Sequence, residues 1–303
     1  MNLRDLTYII AVAEQGHFGR AAEVCHVSQP TLSGQILKLE DDLGVKIFER
    51  EGRRIRPTAV GIDIIQRARQ AVAAADDITL LARANQDPLA GPIRLGIIPT
   101  LAPYVLPWIL PLAAESLPRA PLMVAEDTTQ KLLEGLMQGS LDAALMATDA
   151  PERMTEIPLF DEPFWLVLPP GHPLARQNSI CADDLSDQNL LLLNDGHCLR
   201  DQALDFCGGA DRARAAGADV RATSLETLLH LTAANYGMTL VPRMAVRRGG
   251  GVLDHLAARP LDGPNHARRV RIVHRSHSPR SAALEKLATA IRDGAPDCVT
   301  RVI

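Results

Sequence analysis

The sequence predicts an α/β protein built from a small helical head, one long connecting helix and a two-lobed α/β body. Three observations lead there. Short amphipathic helices and an arginine-rich turn fill residues 1–58. A helical run over 58–89 then carries no proline until Pro88. Beyond residue 91, apolar strand-like segments alternate with helical ones to the C-terminus.

The length of 303 residues is too long for one ordinary domain and suits two or three. With 47 % apolar and 22 % charged residues, the composition is that of a soluble globular protein. No apolar run is long enough to span a bilayer, so no membrane partner is expected. The start, Met1–Phe18, lacks the basic and apolar regions of a secretion signal, so the expected compartment is the cytoplasm. A net charge of −4 excludes a generally basic coat and makes any nucleic-acid surface local. The five cysteines, Cys25, Cys181, Cys198, Cys207 and Cys298, are odd in number and widely spread. They form neither a structural disulfide framework nor a zinc pattern, and no metal or other cofactor is expected.

In the head, Leu3, Leu6, Ile9, Ile10 and Ala13 recur at helical spacing until Gly16 breaks the run. A second helix fits Gly19–Val24. Ser28 is placed to cap a third, with Pro30 in its first turn and Gly44 at its end. Leu32, Ile36, Leu39 and Leu43 make one apolar stripe on it for the core. The other face carries Gln29, Thr31, Ser33, Gln35 and Lys38. A turn between two such helices, the second with a small hydrogen-bonding outer face, is the sequence form of a helix-turn-helix. Four arginines, Arg50, Arg53, Arg54 and Arg56, follow in seven residues around a Gly turn, beside the apolar Phe48 and Ile55, the pattern of a β-hairpin wing that lays cations on phosphates. Residues 1–58 hold eight Lys/Arg and eight Asp/Glu, so the charge is arranged rather than abundant.

On the long helix, Ile65, Ala68, Val72, Ala75 and Ile78 keep a seam at steps of three and four. Thirty helical residues would extend roughly 45 Å, and a helix of that length usually packs against a copy of itself. In the body, strands are expected at Pro92–Ile98, Leu122–Glu126, Leu141–Met146, Phe164–Leu168, Leu190–Leu193, Thr239–Val241 and Arg269–His274. Helices are expected from about Leu101 and at Gln130–Gln138, Leu225–Asn235 and Ser281–Arg292. The alternation implies parallel or mixed sheets covered on both faces. The expected organisation is a head over 1–58, a linker helix over 59–90 and a body over 91–303. In the body the chain crosses near 161 and returns near 267, giving lobe I (about 91–161 and 267–303) and lobe II (about 162–266).

The head resembles the winged helix-turn-helix of LysR-type transcription regulators. The residues that carry the likeness are Ala21-Ala22, Val27-Ser28-Gln29-Pro30-Thr31-Leu32-Ser33, Ile36, Leu39-Glu40, Leu43-Gly44 and Phe48-Glu49-Arg50. The remainder is similar to that family's periplasmic-binding-protein-like regulatory domain, through Leu166-Val167-Leu168-Pro169, His172-Pro173-Leu174 and Gly237-Met238-Thr239-Leu240-Val241-Pro242. Within the family, Leu192–Ala203 with Phe206-Cys207 is similar to the peroxide-sensing members. That resemblance implies a homodimer or tetramer on double-stranded promoter DNA, with RNA polymerase as a partner and hydrogen peroxide as the signal. It implies Gln29, Pro30, Thr31, Ser33, Gln35 and Lys38 at the major groove, with Arg50, Arg53 and Arg54 on the backbone. It further implies that Cys198 is oxidised by peroxide and Cys207 resolves it. Thr100, Thr129, His197 and an arginine of the pair Arg268/Arg269 would hold the peroxide, with Arg200 and Asp201 in the same pocket; Thr128 stays open beside Thr129.

The chemistry suits these residues. A thiolate attacks peroxide, so Cys198 is expected to have a depressed pKa at the start of a helical run over Leu199–Phe206. His197, Arg200 and Asp201 flank it with donors and charge. Nine positions along a helix put the two Cα atoms about 13.5 Å apart, whereas a disulfide needs roughly 4.4–6.8 Å. Bonding must then unwind the segment, with Gly208-Gly209 as a hinge. Two other readings are weighed: a regulator responding to a metabolite between the lobes, with incidental cysteines, and a thiol peroxidase, against which the DNA-binding head counts.

Overall fold

The computed structural model describes residues 1–51, 54–84, 87, 89–186, 188–208, 221–247 and 251–302. The chain divides into two compact units, Met1–Asp87 with Met137–Ser140, and Pro88–Leu136 with Leu141–Ile303.

The first unit begins with α1 (Leu3–Gln15), whose start is held by a reciprocal cap. The Asn2 side chain accepts the Asp5 N–H while the Asp5 carboxylate accepts the Asn2 N–H at 2.8 Å. Gly16 ends it in the left-handed region, at φ 58°. Helix α2 (Phe18–Val24) starts one residue earlier than expected because His17 Nδ1 accepts the Gly19 N–H at 3.0 Å. Helix α3 (Gln29–Leu43) opens with the Ser28 hydroxyl accepting the Thr31 N–H at 3.3 Å. Leu32, Ile36 and Leu39 are buried from it, but Leu43, expected on the same stripe, is 40 % exposed. It lies in the last turn at an apolar groove with Met1, Leu6, Val45, Ile64 and Ala68, which covers it only in part.

Strands β1 (Phe48–Glu51) and β2 (Arg54–Pro57) form the expected hairpin, in register from Phe48↔Pro57 to Glu51↔Arg54. Arg53 lies outside the described residues. Buried Glu40 ties the hairpin to α3 by accepting from Ile47 N–H at 2.8 Å, Phe48 N–H at 3.1 Å and Lys46 Nζ at 2.8 Å. Burial works against its ionisation, yet these bonds hold the carboxyl below its usual range. Helix α4 (Ala59–Ala84) packs onto this core with Ile65 and Ala68 buried, whereas Ile78 on the same seam is 69 % exposed. Gly61 is required where α4 passes Ile47: a Cβ there would lie 2.1 Å from the Ile47 carbonyl oxygen.

The second unit runs β3 (Ile93–Ile97), α5 (Ala102–Ser116), β4 (Leu122–Glu126), α6 (Thr129–Gln138), β5 (Ala143–Met146) and β6 (Met154–Leu168). It continues with β7 (Leu192–Leu193), α7 (Cys198–Phe206), β8 (Arg221–Ala222), α8 (Leu225–Ala233), β9 (Thr239–Pro242) and α9 (Arg243–Arg247). Strands β10 (Ala257–Pro260) and β11 (Ala267–Arg275), helix α10 (Ser281–Asp293) and strand β12 (Thr300–Arg301) complete it.

Strand β3 runs parallel to β4 and β5. Strand β11 then runs antiparallel to β5 and β6, so the sheet is mixed. Met154–Pro163 of β6 pairs with β11, and Phe164–Leu168 pairs with β9 and β10. The strand expected only at Phe164–Leu168 is therefore 15 residues long. Pro158, Pro163 and the acidic residues between them mask its first part. A register shift makes Leu159 an extra residue where Pro158 enters the ladder. Two apolar cores result. Ile93, Leu95, Ile97, Leu145, Phe160, Val270, Ile272 and Leu287 belong to one. Phe164, Leu166, Leu168, Leu193, Leu199, Phe206, Leu228 and Val241 belong to the other. Strand β6 feeds both.

Candidate redox site

Helix α7 is the frame of the site, and Cys198 is its first residue. Gly196, at φ 94°, makes the turn into it, and a Cβ there would face the Thr128 methyl at 3.9 Å. Cys207 caps the other end with φ −75° and ψ 0°. Both thiols are free and buried. They lie in different cores: Cys198 belongs to the one that holds Ile97, Leu145 and Val270, and Cys207 to the one that holds Leu199, Ala203 and Phe206. Gly208 has φ 82°, and Gly209 lies outside the described residues.

Beside Cys198 stands Arg268, whose side chain has no solvent exposure. Its Nε and Nη2 donate to Glu162 Oε2 at 3.0 and 2.8 Å. Its Nη1 donates to Thr100 Oγ1 at 2.8 Å, and Nη2 also to the Thr100 carbonyl at 3.0 Å. Of the doubled arginines, it is thus Arg268 that turns inward, while Arg269 pairs with Asp161 on the outside at 2.8 Å. Alternation along β11 produces that division.

The threonines divide likewise. Thr129 is the first residue of α6, and its buried Oγ1 reaches toward the Cys198 sulfur without completing a well-formed hydrogen bond. Thr128 faces the Gly196 turn instead. His197 is half-buried, and desolvation lowers its pKa, which favours the neutral imidazole. With Thr100 it also lines a cavity of about 430 Å³ beside Leu193, Ser224 and Leu229.

Two expectations are corrected. The Cys198 thiol is raised, not depressed: burial dominates, with Arg268, the Thr129 hydroxyl and the Leu199 N–H pulling it down and Asp201 adding to the rise. The helix start does not by itself overcome removal from water. Nor does Asp201, expected in the pocket with Arg200, turn inward. Arg200 Nη1 pairs with Asp195 at 3.1 Å and Asp201 at 3.6 Å, and the Asp201 side chain is 74 % exposed. Cys207 is pushed up to about 11 by burial alone.

Two residues the sequence did not single out belong to this site. Glu162 sits directly across β6–β11 from Arg268, a pairing visible only once the register is known. Gln202, one turn beyond Cys198, donates to the Ala147 carbonyl at 2.8 Å and leaves a buried Oε1 unpartnered. Its signal was the i, i+4 spacing from Cys198.

On the head, Gln29, Pro30, Thr31, Gln35 and Lys38 are exposed and Ser33 is half-buried, all on α3. Arg50 and Arg54 lie on β1 and β2. Among the described residues, no helix is long and apolar enough to cross a membrane.

Comparison with known proteins agrees with both parts of the chain. Residues 3–62 match the family model described as bacterial regulatory helix-turn-helix protein, lysR family, and residues 86–296 that of the LysR substrate binding domain. A relative from Dickeya chrysanthemi, named hydrogen peroxide-inducible genes activator, is 42 % identical over 97 % of this chain and 95 % of its own. The DNA-binding transcriptional dual regulator OxyR of Escherichia coli K12 is 43 % identical over 96 % of this chain and 95 % of its own. Among solved structures, a full-length OxyR variant from Pseudomonas aeruginosa is 40 % identical, covers 96 % of this chain and 98 % of its own, and superposes with a TM-score of 0.77. The oxidised form of OxyR is 40 % identical over 69 % of this chain and 97 % of its own, with a TM-score of 0.59.

Proposed function

We propose a peroxide switch at Cys198 and Cys207 for this chain, which belongs to the LysR family of bacterial transcription regulators and, within it, to the OxyR regulators. It is a DNA-binding regulator rather than an enzyme, and it senses hydrogen peroxide through a reversible Cys198–Cys207 disulfide to control oxidative-stress genes. The observation that carries the assignment is the placement of the two thiols at opposite ends of α7, with buried Arg268 beside the first.

The chemistry balances on these two groups. The Cys198 thiolate attacks one peroxide oxygen, the O–O bond breaks, and the departing hydroxide takes a proton to leave as water. The sulfenic acid is then attacked by the Cys207 sulfur, and its hydroxyl leaves as a second water. Two thiols lose two electrons and two protons, and one peroxide becomes two waters. Thr100, Thr129, His197 and Arg268 hold the peroxide as donors and acceptors, while exposed Asp201 acts on Cys198 through its field and mostly buried Arg200 pairs with it. Because α7 is formed when the thiols are free, closing a gap of about 13.5 Å to roughly 4.4–6.8 Å requires part of it to unwind.

In this reading the outer face of α3 enters the major groove, and Arg50, Arg53 and Arg54 lie on phosphates. The chain acts in the cytoplasm as a dimer through its linker helix and as a tetramer on DNA, with RNA polymerase as its partner. Head, linker and body occupy 1–58, 59–90 and 91–303, the body dividing into lobes of 91–161 with 267–303 and of 162–266. The test compares promoter footprints of reduced and peroxide-treated protein with those of Cys198→Ser. A footprint that shifts equally in the variant overturns the assignment. The cavity shared by Thr100 and His197 favours a second reading, a metabolite effector, which requires peroxide treatment to leave no Cys198–Cys207 linkage by mass spectrometry.

A further inference from the structure

The buried carboxylate of Glu162 has partners on two elements, and both of its oxygens are used. Oε2 accepts the Nε and Nη2 donors of Arg268 at 3.0 and 2.8 Å, while Oε1 accepts the Met244 N–H of α9 at 2.9 Å. Neither the carboxylate nor the guanidinium has any solvent exposure. The fork is thereby fixed in the one orientation that leaves Nη1 for the Thr100 hydroxyl. We propose that Glu162 is a positioning residue for the peroxide reaction: it acts through Arg268, holding the guanidinium where it serves Thr100 and Cys198. This rests on the assignment of Cys198 as the oxidised thiol.

The chemistry of the carboxylate makes the role specific. A glutamine in its place has one acceptor and one donor. If its oxygen meets Arg268, its NH₂ meets the Met244 N–H, donor against donor. If it is flipped, two Arg268 donors face an NH₂. Aspartate keeps the charge but is one methylene short of spanning both partners. Either variant releases one arm of the clamp. Simple electrostatics predicts the opposite sign for glutamine, because removing a negative charge behind Arg268 would make the site more positive and the thiolate easier to form.

The test measures the second-order rate of Cys198 sulfenic acid formation with hydrogen peroxide, across pH, in the full-length reduced protein. Among the described residues, the charged and titratable groups around this thiol are Arg268 from β11, with Glu162 of β6 behind it, and Asp201 and His197 on and before α7. We expect Glu162→Gln and Glu162→Asp to slow the reaction by roughly ten- to hundred-fold, the effect of an ångström-scale displacement of a positioned group. Both should also move the pH midpoint upward. A single substitution that leaves a buried charge unpaired risks misfolding, so the double variant Glu162→Gln with Arg268→Gln removes both charges together. It should react no more slowly than Arg268→Gln alone. Rates unchanged or raised in Glu162→Gln, or a double variant slower than Arg268→Gln, overturn the role of Glu162. If Arg268→Gln itself reacts like the unaltered protein, it is the placement of Arg268 in the peroxide site that fails instead.

Discussion

At the residue scale, burial decides most of what the site does and how it responds to pH. Cys207 is pushed up to about 11 from an ordinary thiol near 9.0, because only the neutral form tolerates the second core. A group whose folded pKa is raised contributes stability below its unfolded pKa and loses it as pH climbs to the folded one. The reduced protein should therefore lose about 2–3 kcal/mol between pH 9 and 11. Cys207→Ala should lack that component, and denaturant titrations of both proteins across the window check it; identical pH dependence would refute it. Thr129 presents the reverse case, a buried hydroxyl with no completed hydrogen bond. Replacing it with isosteric valine removes an unsatisfied group, so Thr129→Val should fold as stably as the parent or up to about 1 kcal/mol more so. If that hydroxyl serves peroxide, the variant should nevertheless form sulfenic acid at a markedly lower rate. Stability and reactivity falling together would instead make Thr129 a structural group.

At the scale of elements, α7 sets the second step of the switch, since disulfide closure competes with its hydrogen bonds. The helix has no basic residue in its last turn, and exposed Asp205 stands there against the dipole. Asp205→Lys should stabilise the reduced helix by about 0.5–1 kcal/mol and slow disulfide closure roughly two- to fivefold. Sulfenic acid formation should keep its rate, because Cys198 lies at the other end. Rapid-quench mass spectrometry separates the two steps, and an unchanged ratio of disulfide to sulfenic acid would show that unwinding does not limit closure. The helix was legible in the sequence because its boundaries are local: Gly196 turns in and the apolar positions Leu199, Ala203 and Phe206 keep one face. The head was legible for the same reason, through Ser28, Pro30, Gly16 and Gly44. The first part of β6 was not. Pro158, Asp161, Glu162 and Pro163 read as loop, and only pairing with β11 makes them strand. Glu162 was hidden with them, since a carboxylate's partner across a sheet lies about a hundred positions away.

At the scale of the whole molecule, the two thiols were found by motif and spacing, but the reason their bond carries information lies in the packing. Cys198 belongs to the core that β3, β5 and β11 build, and Cys207 to the core that β9 and α8 close. A bond between them cannot form within either core alone. Leu199, Ala203 and Phe206 are buried members of the second core, so unwinding α7 must withdraw apolar surface from it. Moving two such large side chains out of their places costs on the order of 3–6 kcal/mol unless they repack. A covalent event worth only two electrons is thereby turned into a rearrangement on the scale of a lobe. The expected consequence is spatially uneven. Hydrogen exchange on the oxidised protein should speed over 198–207 and in neighbouring segments of the second core, including β7 and α8. Amides of β3, β5 and β11 should keep their protection, because their ladder makes no use of α7. Protection lost equally from both cores would mean that oxidation loosens the body globally. Protection lost from neither would mean that the disulfide forms without unwinding, and the spacing argument would then fail along with the switch built on it.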